Sequence, residues 1–409
     1  MDDVERAVDA AVEAVDPAYI VDLARRLVQI PSVMRGGDPA GNESAAAAAV
    51  AAELDGLGLL VRVEDAAPGR PNVIADWPAD GTGPLLILEG HTDVVTEGDP
   101  SLWSVPPFGG VVRDGRLYGR GAADMKGGIA AAIGAVRAVR DAGVRLAGRV
   151  RLAVVSDEEG MMLGIKRFIR NGWAEGAVGA IICEPEANAP CLVQKGAVRA
   201  VGRFRGRMAH GAMPKTGVNP IPAAAAFVRR AGALEADYAA RHGRHPLLGD
   251  PSVTPTVCQA GEIGQLNVVP AEALVALDVR TIPGQAHAEL VRDLERAAAD
   301  AAAATPGCRG ILEVIEERPW TETSPDALVV RAVERACRRV QGRDPERRGV
   351  PGATDGTFLH AWAGVPIVTI GPGDVAIPHQ VDEFVRLDAL VEAGGIFAAA
   401  LCYGLDGRR

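Results

Sequence analysis

Aromatic residues are scarce in this chain, with Phe, Trp and Tyr supplying only 4% of 409 residues. Nearly half the residues are nonetheless apolar (48%), much of it Ala. Long disorder is therefore excluded, and a sizeable core with small residues on many helix faces is expected. Cysteine is sparse too. The six, at positions 183, 191, 258, 308, 337 and 402, form no C-x-x-C pair and read as free thiols in a reducing cytoplasm. The opening stretch MDDVERAVDAAVEAVD has no basic segment ahead of an apolar one, so no secretory signal is read there. No apolar run is long enough to span a bilayer, and no membrane partner is expected. Positive charge is in deficit: 43 Lys and Arg stand against 53 Asp and Glu, a net charge of −10. That balance argues against a nucleic-acid partner, which would need a basic surface. Arg338–Arg339 and Arg347–Arg348 read as a solvated helix end and loop.

What is present is an alternation of strand-like and helix-like runs, the mark of an α/β sheet. Asp16–Pro17 precedes a helix from Ala18 to Gln29, and Gly41–Asn42–Glu43–Ser44 opens an Ala-rich helix to about Leu57. Short apolar runs at Leu85–Leu88, Arg149–Val155, Ala180–Cys183 and Pro366–Ile370 have the length and β-branched content of buried strands. The segment 194–308 carries its own α+β pattern, with strands at Ala197–Arg205 and Val268–Arg280 and helices at Ile221–Arg241 and Ala286–Ala304. We therefore expect a catalytic α/β domain over 1–193 and 309–409, with a mixed, mainly parallel sheet and helices on both faces. The 194–308 segment is expected as an inserted α+β domain.

Four of the strand-like runs end in acids or histidines. They lead to Glu89–Gly90–His91–Thr92–Asp93, to Ser156–Asp157–Glu158–Glu159–Gly160, to Glu184–Pro185, and through Gly371–Pro372–Gly373 to Pro378–His379. Open α/β sheets bind ligands beyond the carboxyl ends of their strands, so these groups can converge although distant in sequence. Taken singly, a His-x-Asp pair is usually a hydrogen-bonded loop, and Glu158–Glu159 would pass as a solvated turn. Their repetition at strand ends is what points to a site. A fifth acid, Asp124, lies in the Gly-rich stretch Tyr118–Gly119–Arg120–Gly121–Ala122–Ala123–Asp124–Met125–Lys126–Gly127–Gly128 ahead of a long Ala-rich run. An N-cap role is the plain reading of Asp124. A phosphate loop is ruled out because the G-x-x-x-x-G-K-[ST] spacing is missing.

The stretches GHTDVV, SLWSVPPFGG, DGRLYGRGAADMKGG, SDEEG, CEPE and PHQVDE, in that order, resemble the M20 metallopeptidases, and the resemblance runs from about residue 20 to 400. That group includes acetylornithine deacetylase and succinyl-diaminopimelate desuccinylase. The resemblance implies hydrolysis of the amide bond of an N-acyl amino acid or small peptide with two divalent metals, zinc first, cobalt or manganese as substitutes. His91, Asp124 and Glu184 would hold one metal. Asp124 would bridge to a second, held also by Glu159 and His379. Asp93 would bond the other nitrogen of His91, and Glu158 would be the general base. A cis peptide is implied after Asp124. In the inserted segment, of ferredoxin-like form and dimerising by resemblance, His210 would reach a partner subunit's site in a homodimer and donate to the oxyanion. Asn267 and Arg280 would take a substrate carboxylate, whereas the residues alone favour Arg280 paired with Asp278.

One segment departs from the family. Gly352–Ala353–Thr354–Asp355–Gly356–Thr357–Phe358 carries Thr357 where desuccinylases commonly have Arg, and leaves Thr354 as a candidate substrate contact. Two other readings compete. N-carbamoyl-amino-acid hydrolases share the fold and metals but usually carry Gly-Gly-x-x-Asp-Gly where this chain has Trp103 and Pro106–Pro107–Phe108. A non-catalytic binding protein on the same fold would usually lack the base or a ligand, and all are present.

Overall fold

The structure, a computed structural model, describes residues 3–35, 42–77 and 83–406; Met1, Asp2 and Gly41 of the readings above lie outside the described residues. The chain divides into two compact units. The first comprises Met1–Leu192, Thr323–Val350 and Thr354–Arg409, and the second Val193–Glu322 with Pro351–Ala353.

In the first unit four parallel strands, Arg149–Val155, Leu85–His91, Ala177–Ile182 and Ile367–Thr369, lie side by side in that order. Two antiparallel strands, Leu60–Ala67 and Arg70–Trp77, extend the sheet beyond Arg149–Val155. The central strands are mostly apolar because both faces are covered. Alternate residues serve the two sides. Leu86, Leu88, Val150, Leu152 and Ile181 pack with the helices Pro17–Val28, Gly127–Asp141, Leu328–Gln341 and Leu387–Gly404. Leu85, Ile87, Ala153 and Ile182 pack with the helices Leu163–Arg170 and Gly356–Ala363 through Ile165, Phe168 and Phe358. The Pro17 helix starts where the residues foretell, with Asp16 accepting the Tyr19 N–H at 3.1 Å and Pro at the first position.

Leu387–Gly404 corrects the expectation that nothing could span a bilayer: it is long and apolar enough to do so, but 72% of it is buried inside the protein. It is a core helix whose apolar run is masked in sequence by Asp388 and Glu392 in its first turns.

The second unit runs strand, helix, strand, strand, helix, strand. Its four-stranded antiparallel sheet has the order Ser252–Ala260, Glu272–Thr281, Gly196–Arg205, Arg309–Arg318, the ferredoxin-like arrangement. Val198, Phe204, Val275, Leu277 and Val279 face the helices Ile221–His242 and His287–Ala303. Two expectations shift here. The strand expected over Val268–Arg280 is broken in two at Pro270, giving Val268–Val269 and Glu272–Thr281. The boundary expected at 309 moves to 323, because Arg309–Arg318 pairs with Gly196–Arg205. That edge strand hides its membership: Ile311, Val314 and Ile315 are exposed, and a register shift between Val314 and Glu316 breaks its alternation.

Candidate metal centre

The four parallel strands of the first unit end on the same side, so the polar residues that follow them meet. His91 is the last residue of its strand and is almost fully buried. Its Nδ1 lies 2.9 Å from the backbone carbonyl of Asp93. A carbonyl can only accept, so Nδ1 carries the proton and Nε2 is left as the ligating nitrogen. Nε2 sits 3.2 Å from Asp124 Oδ1 and 3.7 Å from Glu184 Oε1. On the other side of Asp124, Oδ2 lies 3.3 Å from His379 Nε2, and that nitrogen lies 2.9 Å from Glu159 Oε1.

His91, Asp124 and Glu184 form one group whose ligand atoms lie within 4.8 Å of one another, and Asp124, Glu159 and His379 form a second. A third grouping joins His91, Glu158 and Glu159. All of these side chains belong to the first unit.

Asp93 is placed otherwise than expected. Its carboxylate stands 3.6 Å from His91 Nδ1, while its two oxygens accept the N–H groups of Glu158 at 3.1 Å and Glu159 at 3.0 Å. Two backbone donors from the turn after Val155 compete for the carboxylate, and the carbonyl of the same residue orients the ring instead. Asp93 thereby fixes the general-base candidate and one ligand at once.

The Asp124 loop is built by glycine. Gly121 has φ +85°, and a Cβ at Gly128 would lie 2.0 Å from the Cys183 carbonyl oxygen, so the helix Gly127–Asp141 starts hard against the strand end that carries Glu184. Asp124 does not cap that helix through its side chain; the carboxylate faces the two histidines, and the Asp124–Met125 peptide is cis.

The donor set fits divalent cations. Burial pushes the Glu184 carboxyl well above the carboxylate range, and Asp124 adds to it; Glu159 is raised by the same two causes. Contacts with Asp124 and Glu159 lift His379 to about 10. Crowded acids that hold on to protons, with imidazoles between them, are what a positive charge at the centre relieves. Mixed imidazole and carboxylate ligands suit zinc.

Of the remaining candidates, His210 and Asn267 are brought together in the second unit. His210 lies in a two-stranded ladder opposite Val268, Gly211 donates to the Asn267 carbonyl at 2.6 Å, and His210 Nδ1 accepts the Ala212 N–H at 3.0 Å. That bond leaves the ring proton of the neutral form on Nε2, free to donate. Arg280 is not free: its guanidinium pairs two-pronged with Asp278 at 2.6 and 3.1 Å, as the residues alone favoured. Thr354 is buried in the first unit and its Oγ1 accepts the Gly356 N–H at 3.2 Å, a helix-capping contact. Thr357 is fully buried.

Sequence reasoning missed two buried acids. Glu89, an acid inside an apolar strand run, lies beside Asp355 and is raised to about 8 by burial. Glu383, in the PHQVDE stretch, pairs with Arg120 and accepts three backbone N–H groups of the Asp124 loop. Burial pushes its carboxyl up to about 7 against the opposing pull of Arg120.

A mixed sheet whose four parallel strands aim three carboxylates and two imidazoles at one point defines a class, the α/β metal-dependent hydrolases of amide bonds. The model of peptidase family M20/M25/M40 matches residues 87–402, and the chain belongs to that family. It is 33% identical to a succinyl-diaminopimelate desuccinylase of Methylobacterium sp. (strain 4-46), over 93% of this chain and 94% of that one. Among solved structures, the dipeptidase Dug1p of Saccharomyces cerevisiae superposes with a TM-score of 0.78 at 17% identity, covering 99% of both chains. A dinuclear metal binding peptidase of the M20 family from Bacillus subtilis matches with a TM-score of 0.70 at 18% identity, over 96% of this chain and 99% of that one.

Proposed function

We propose that this chain is a dinuclear hydrolase, zinc its first metal, that cleaves the amide bond of an N-acyl amino acid or small peptide as a cytoplasmic homodimer. The observation that carries the reading is Asp124, which faces a histidine with each of its two carboxylate oxygens and belongs to both three-ligand groups. His91, Asp124 and Glu184 would hold one cation, and Asp124, Glu159 and His379 the other. Two such cations supply Lewis-acid polarisation of the amide carbonyl and acidify the attacking water.

The chain's own residues do the rest. Glu158, held by Asp93 through its N–H, takes the proton of the attacking water and returns it to the departing amine. By the family resemblance, the partner subunit's His210, with its proton on Nε2, donates to the oxygen that gains charge. Asn267 and Arg280 bind the substrate's carboxylate. For Arg280 this means exchanging Asp278 for the substrate, since a guanidinium fork pairs bidentately with either. The fully buried Thr357 does not supply the second arginine that desuccinylases commonly have in this loop, so the acyl group accepted is the open variable.

The test is a hydrolysis screen in zinc and in cobalt with N-acetyl, N-succinyl and N-carbamoyl amino acids and dipeptides, reading released amine. Turnover of N-acyl substrates or dipeptides is expected. Turnover confined to N-carbamoyl substrates would replace the reading with a carbamoylase. No turnover, with no metal bound, would replace it with a binding protein.

A further inference from the structure

The geometry points to Glu383 as a positioning residue that sets Asp124 in place relative to His379 before any metal binds. The inference rests on the dinuclear reading above and adds a residue to it. Glu383 is 1% exposed. Its Oε1 accepts the N–H groups of Gly121 at 3.0 Å, Ala123 at 3.0 Å and Asp124 at 3.1 Å, and its Oε2 meets the Arg120 guanidinium. Its backbone carbonyl accepts the Gly119 N–H at 2.9 Å. One residue thus holds the loop at four of the six positions from 119 to 124 by its backbone donors, and at a fifth, Arg120, by its side chain.

Three neighbouring N–H groups around a single oxygen make an anion-binding cradle, and here the anion is supplied by the protein itself. Arg120 is also buried, so its charge is answered inside the fold rather than by solvent. Glu383 stands four residues after His379. The strand that follows it, Phe384–Arg386, pairs antiparallel with Arg116–Tyr118, so the connection is anchored on both chain segments. The loop with the shared ligand and the loop with the exposed histidine are therefore tied to each other by a group that is not itself a ligand. Two ligands from segments more than 250 positions apart need such a tie, because a ligand set loose by an ångström loses affinity for both cations that share it.

The experiment compares wild type with Glu383→Gln, measuring zinc stoichiometry and affinity by competition with a chelator of known strength, and kcat and KM separately. Glu334→Gln is the control, since Glu334, in the helix Leu328–Gln341, is another buried carboxylate and pairs with Arg347. Glu383→Gln is expected to weaken both zinc sites by about 10- to 100-fold and to lower kcat with KM little changed. Glu334→Gln is expected to lower the melting temperature and keep both affinities. Zinc affinities in Glu383→Gln equal to wild type would overturn the inference, whatever its melting temperature.

A second measurement needs no variant. In metal-free wild type, amide exchange at Gly121, Ala123 and Asp124 is expected to be as slow as with zinc bound. Exchange at unfolded-chain rates without zinc, becoming slow only on adding it, would show that the metal sets the loop and Glu383 does not. Because this arm contains no metal, it also separates failure of the inference from failure of the dinuclear reading, which would appear as wild type taking up fewer than two zinc ions.

Discussion

The two three-ligand groups share Asp124 and differ in their surroundings. Beside His91 the side chains are closed in, with exposures of 1% for His91 and 9% for Glu184. Beside Glu159 the histidine is open, with 53% of the His379 side chain exposed and its backbone at φ +67° in the left-handed region. His91 completes a sheet strand, whereas His379 sits in a loop with no strand of its own. Burial fixes a ligand and slows its exchange with water, and exposure leaves room for substrate. If both groups hold a cation as proposed, this difference makes the second the more readily exchanged of the two.

Asp124→Ala breaks the comparison outright. It removes the residue common to both groups, and purified protein is expected to carry neither metal and to hydrolyse nothing, by metal analysis and amine release. Glu158→Gln should keep both metals and lower kcat by about 100- to 10,000-fold, the usual range for a general acid–base group; lost metal with surviving activity would assign Glu158 as a ligand instead. His379→Ala sharpens the contrast, because it is expected to lose one metal and keep the other, whereas His91→Ala should disturb both through Asp124. In the same vein, a chelator titrated into wild type should strip two metals in separate steps. A single step would mean the two groups do not differ. The smallest effect is expected from Arg280→Ala: a several-fold rise in KM, on the order of 1 kcal/mol, for substrates with a free carboxylate, reduced because Asp278 already competes for the guanidinium.

Much of this was legible in the chain because strand ends are punctuated by chemistry. Apolar runs stop before Glu89, before Ser156, at Cys183 and at Ile370, and the parallel strands collect whatever follows. What stayed hidden depends on backbone groups, which carry no letter. Asp93 reads as a partner for His91, yet the N–H groups of Glu158 and Glu159 claim its carboxylate. Glu383 stands in the PHQVDE stretch with no role of its own until the amides of residues 121, 123 and 124 are seen to surround it. Arg309–Arg318 was assigned to the wrong unit because a bulged edge strand shows no clean period of two.

The order in which the chain is made gives the core helix Leu387–Gly404 another meaning. Residues 193–322 leave the ribosome together and hold nearly all of one unit, so that unit can fold while synthesis continues. The other unit is interrupted by it and waits. Until Leu387–Gly404 emerges, the helices Gly127–Asp141 and Leu328–Gln341 lack the neighbour that covers them. A nascent chain halted before residue 379 holds His91, Asp124, Glu159 and Glu184, but neither His379 nor the Glu383 tether. Translation therefore supplies one complete three-ligand group, His91, Asp124 and Glu184, before it supplies the histidine that completes the second and the acid that ties the two loops together.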